Sequence, residues 1–156
     1  MARTCPAASQ AHDNSAIQVI GVHHAPTREL IDSLEAHAAL DTETLASVVD
    51  ALSDCEEAAT ACAAGMLGEQ DIDRMRSSVL HDLDCGDVVV ATRRLLTRAT
   101  GDDSALVAAQ LEVCLMACRR SHETCSRTAH EHCRLCVDAT HRAADACRRA
   151  LQALRG

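Results

Sequence analysis

Cysteine is the residue type in this chain with the most chemistry to offer: there are ten in 156 residues, and nine lie beyond Cys5 at spacings that repeat on one side of a helix. Cys55 with Cys62, Cys85 alone, Cys114 with Cys118 and Cys125, and Cys133 with Cys136 and Cys147 form four groups along the sequence. Thiolates three or four residues apart on a helix can share a cation, and a neighbouring helix can add a third ligand. Soft sulfur donors select Cu(I), Zn(II) or iron–sulfur clusters over hard cations. Cys133 and Cys136 have the spacing of a zinc pair, but no second Cys-x-x-Cys completes a four-thiolate site, and no C-x2-C-x2-C iron–sulfur run exists. Thiols spread along a tube suit Cu(I), with its low and flexible coordination, and leave Zn(II) as the alternative. The stretch His130-Glu131-His132-Cys133 up to Cys136 gathers two imidazoles and two thiols where ions could enter. Met66 offers a thioether, although Met in a core is more often filler. Plain packing is the competing explanation, since free Cys is a small and often buried residue, but it accounts for the positions better than for the number.

Other chemistries lack their residues. No Glu is followed three positions later by His, as a ferritin-like di-iron site requires, and Val137 after Cys136 excludes covalent haem attachment. Phosphate-cradling Gly-rich loops and the G-x-S-x-G elbow are missing, and a Cys-x-x-Cys redox enzyme would need a βαβ context. A binding protein is expected, not an enzyme.

Helices must position these thiols. There are 29 Ala and 16 Leu, against 2 Pro and 6 Gly, and Phe, Tyr and Trp are absent. The expected fold is all-α, an up-down four-helix bundle with a short extra N-terminal helix within Thr27 to Leu40. Helices are expected over about 42–67, 71–99, 104–127 and 129–154, with residues 1–26 as a loosely ordered arm and 27–156 as the bundle. Asp41, Asp71 and Asp103 or Ser104 are candidate N-caps, Gly68 a stop, and Thr128 with Glu131 a capping box. Spacings of three and four give each helix an inward seam. They run Leu45 to Met66, Met75 to Ala99 with Asp82 as an inward polar exception, Val107 to Thr128, and Cys133 to Leu154.

All 15 basic residues are Arg, and 23 acidic residues bring the net charge to −8, which argues against nucleic acid or an anionic membrane as partner. No membrane-length apolar run and no signal-like apolar segment at the start are present, so the cytosol is the expected compartment.

From about Thr27 onward the chain resembles the bacterial four-helix-bundle copper storage proteins. The resemblance rests on LDTETLASVVDALSDCEEAATACAAGML, LDCGDVVVATRRLLTRATGDDSALV and, most specifically, HEHCRLCVDATHRAADACRRAL. It implies a cytosolic type, many Cu(I) ions held by inward Cys, and assembly as a homo-oligomer, a tetramer of bundles. The chain departs from the family pattern with Val48, Leu52, Ala59, Met66, Ser78, Val89, Ser121, Thr140 and Ala143 where further seam cysteines are typical. About half of the expected thiols are therefore gone. This Cys-depleted member points as readily to a smaller or more selective site as to a high-capacity store. Two alternatives remain, a structural or oligomerisation bundle and a single-site zinc or redox sensor built on His130, His132, Cys133 and Cys136.

Overall fold

The computed structural model describes residues 27–33, 39–99 and 101–156, so the 1–26 arm with Cys5 lies outside the described residues. Five α-helices follow in order: α1 (Thr27–Asp32), α2 (Thr42–Leu67), α3 (Ile72–Leu96), α4 (Ser104–Cys125) and α5 (Glu131–Ala153). A single 3-10 turn, Gly101–Asp103, leads into α4. The four long helices form an antiparallel bundle in which α2 touches α3 and α5, and α4 touches the same two. At 26 residues α2 is about 39 Å long. None of the described helices is long and apolar enough to cross a membrane.

Local chemistry sets the ends. The Asp41 side chain accepts the Thr44 backbone N–H at 2.9 Å, so it caps α2, and Gly68 closes that helix by donating its N–H to Gly65 O. Asp71 begins α3 without a side-chain cap bond. α3 stops at Leu96, with Arg93 and Arg94 in its last turn, where cations complement the helix dipole. The capping box at the start of α5 does not form. Thr128 Oγ1 instead donates to the Cys125 carbonyl and so terminates α4, while the Glu131 carboxylate turns to Arg134. His130 takes the N-cap position.

Burial follows the seams. From Leu45 to Met66 on α2 every seam residue is buried, and on the other helices only the outermost members, Ala99, Thr128 and Leu154, are partly exposed. Two apolar clusters result. One contains Val48, Leu52, Val89, Val107 and Leu111 together with Cys55, Cys85, Cys114, Cys118 and Cys147. The other, toward the C-terminus of α2 and the start of α5, holds Cys62, Cys125, Cys133 and Cys136 with Ala59, Ala63, Met66 and Met75. The short α1 packs on α2 through buried Ile31, and Thr27 Oγ1 donates to Asp50 at 2.6 Å.

Candidate metal centre

Because the seam recurs on four antiparallel helices, residues distant in sequence meet along the bundle axis. Nine thiols, Cys55, Cys62, Cys85, Cys114, Cys118, Cys125, Cys133, Cys136 and Cys147, are buried and free of disulfides. Seven of them fall into sets of ligand atoms lying within 4.8 Å of one another: Cys62, Cys125 and Cys136 with Asp82; Cys55, Cys85 and Cys118; and Cys62 and Cys133 with His132. Cys62 belongs to two sets. Its Sγ lies 3.6 Å from that of Cys133 and 3.8 Å from that of Cys125. In the inner set Cys85 is 3.9 Å from both Cys55 and Cys118.

Asp82 is the unusual member. Its side chain is fully buried, accepts the Ser121 hydroxyl at 2.6 Å, and lies 3.3 Å from Cys125 Sγ and 3.8 Å from Cys136 Sγ. Burial pushes its carboxyl up to about 6 from the ordinary 3.8, against the lowering effect of Ser121. Around it the thiols share protons unevenly. Hydrogen bonds from Cys125 and Cys62, helped by Ser121, hold Cys136 well below the usual thiol range, and the same bonds raise Cys62 and Cys125. Bonding to Cys118 likewise lowers Cys55 and Cys114 and raises Cys118 itself. Each network thus contains a thiol whose neighbours' hydrogen bonds favour its deprotonated form, the form that binds metal.

At one end of the bundle, taken here as its mouth, the C-terminus of α2 meets the start of α5. There His132 lies against α2 at Gly65, where a Cβ would come within 2.8 Å of the imidazole Cγ. His132 Nε2 is buried without a hydrogen-bond partner. His130 stacks on His132 with ring centroids 5.3 Å apart, and its Nδ1 pairs with Glu69 at 3.1 Å. Met66 is fully buried beneath this mouth, in one cluster with Cys62, Cys133 and Cys136. At the other end the axis is filled by Val48, Leu52, Val89, Val107 and Leu111.

The model of the copper storage protein family (Csp) matches residues 41–152, the span that holds this buried thiol-rich axis. The chain belongs to that family. Among solved structures it is similar to the copper storage protein Ccsp from Streptomyces lividans loaded with 10 copper equivalents, with a TM-score of 0.78 and 32% identity over 81% of this chain and 98% of that one. A five-copper structure described as copper loading to a cytosolic copper storage protein from Streptomyces lividans gives a TM-score of 0.69 and 34% identity, covering 70% of this chain and 93% of that one. No curated protein matches the chain. Against this family background the nine thiols divide unequally. Cys114 and Cys147 join no set of three, and His130, His132, Cys133 and Cys136 do not converge, because Cys136 faces Asp82 while Cys133 faces Cys62. Asp82 and Glu69 enter these sets although their residue type does not announce a soft-metal site. The signal for Asp82 was a charged residue on an otherwise uncharged seam.

Proposed function

We propose that this chain stores or buffers Cu(I) in the cytosol, holding it through Cys55, Cys62, Cys85, Cys114, Cys118, Cys125, Cys133, Cys136 and Cys147. His132 serves at the mouth, His130 stands beside it, and Met66 lines the passage. The observation that carries this reading is the chain of overlapping ligand sets, linked by Cys62, which runs from His132 into the bundle. A monocation suits it, because each digonal or trigonal step along the axis needs only two or three soft donors. Membership of the copper storage family supports copper as the cargo, and a neighbour described as cytosolic supports the compartment. The role is binding and not catalysis, and the bundle assembles into a homo-oligomer, with the tetramer as the expected form.

Binding displaces protons from thiols that are neutral in the metal-free protein, so uptake is coupled to pH. A purely structural bundle would have the same thermal stability with and without copper, whereas a native-state ligand raises it. Anaerobic titration of the reduced protein with Cu(I) against a chromophoric Cu(I) chelator tests the proposal. Several tight equivalents per chain are expected, and fewer than one would sink it. One Zn(II) bound in preference to Cu(I) would favour the sensor alternative.

A further inference from the structure

The mouth contains a ligand set that the thiol tube does not need. Glu69, His130 and His132 each present one ligand atom, all within 4.8 Å of one another, and none of the three is a sulfur donor. Glu69 already touches His130 Nδ1 at 3.1 Å, the two rings are stacked, and Gly65 leaves the space that His132 occupies. The orphaned His132 Nε2 is an independent sign of a missing partner, because a buried nitrogen left unsatisfied costs roughly 1–3 kcal/mol.

Two imidazoles and a carboxylate are borderline to hard donors, a set better matched to a divalent ion than to Cu(I), which prefers the thiolates beside it. Desolvation cost grows with the square of the charge. A dication therefore belongs at the mouth, where Glu69 and His130 keep about a third of their side-chain surface in water. His132 also belongs to the set with Cys62 and Cys133, and a neutral imidazole has one ring nitrogen free to accept.

We infer that Glu69, His130 and His132 form a site for a divalent cation of the Zn(II) type, which competes with the thiol tube for His132 and holds back copper entry while it is filled. The competition rests on the Cu(I) reading above, whereas the zinc site does not.

The test uses the full reduced chain. Metal-free crystals are soaked in Zn(II), and the ion is located by anomalous scattering at the zinc edge. In parallel, the initial rate of Cu(I) loading is followed by stopped flow with Zn(II) at about ten times its Kd, where the zinc-free fraction and hence the rate fall roughly tenfold. The expected result is zinc bound by Glu69, His130 and His132, and a slowing that disappears in Glu69→Gln. Zinc found only among the thiolates, or a slowing that persists undiminished in Glu69→Gln, would overturn the inference. So would copper loading that zinc at the mouth leaves unchanged. If Cu(I) fails to load even without zinc, the storage reading falls, and the crystallographic arm alone decides the zinc site.

Discussion

The two halves of the bundle use the same seam for different ends. Toward the mouth, Cys62, Cys125 and Cys136 gather at Asp82, Cys133 lies against Cys62, and the four are backed by Ala59, Ala63 and the flexible side chains of Met66 and Met75. In the inner half, five thiols are interleaved with Val48, Leu52, Val89, Val107 and Leu111. Each fully buried aliphatic side chain contributes about 1.5–3 kcal/mol, so the inner half carries more of the hydrophobic stabilisation while the mouth half gathers more of the ligand atoms. Small residues and thiols alone would leave a loosely packed core, and aliphatics alone would leave no site. The molecule divides these demands along its length.

That division can be broken from the inner side first. Leu52→Ala removes a fully buried side chain from the aliphatic layer and should cost about 2–5 kcal/mol of metal-free stability, read from denaturant unfolding, while leaving copper bound near the mouth. An equal loss of mouth-half copper would mean the halves are not separable.

The mouth half holds the buried carboxylate, whose own share of the pH dependence can be separated. Asp82 has a folded-state pKa near 6 against 3.8 when unperturbed, so the folded state holds its proton more tightly than the unfolded chain does. Stability from this group is fully present below the lower value and is lost as pH rises through the higher one, by about 3 kcal/mol at most. Denaturant melts of the metal-free protein from pH 4 to 7 should show that loss, and Asp82→Asn should lack it. Cys62→Ser, which removes the thiol shared by two ligand sets, should weaken the first Cu(I) equivalent on the order of 100-fold, ~2.7 kcal/mol, in chelator competition. The same change at Cys147, which joins no set of three, should do far less. The smallest effect on stability is expected for Gly65→Ala. Its Cβ would displace the His132 ring, but Ala is also the better helix former, by about 0.8–1.0 kcal/mol. Slower copper loading with a melting point little changed would separate the mouth's function from the fold.

Much of this was legible in the sequence. The Leu45 to Met66 seam reads directly because spacings of three and four on a helix with no Pro and no Gly before its last turn admit one inward face, and all seven of its residues are buried. The last turns were harder. Thr128 and Glu131 fit a capping box, yet each found a nearer partner, Cys125 O for the hydroxyl and Arg134 for the carboxylate. Ligand sets were harder still, because they depend on the axial register between helices. Nothing in the spacing of Cys133 and Cys136 says that one turns to Cys62 and the other to Asp82. Gly65 and Glu69, just before and just after the end of α2, acquire meaning only when α5 brings His130 and His132 beside them.

In the proposed function, copper enters at the His132 end and is held by the thiol sets, with the aliphatic layer closing the axis beyond them. Anomalous scattering at the copper edge, from crystals of the reduced protein loaded with Cu(I) without oxygen, tests this most directly. Copper should appear among Cys62, Cys125, Cys133 and Cys136 and then among Cys55, Cys85 and Cys118, with none past the level of Val48 and Leu111. Copper beyond that layer, or a mouth half empty while the inner half is filled, would contradict it.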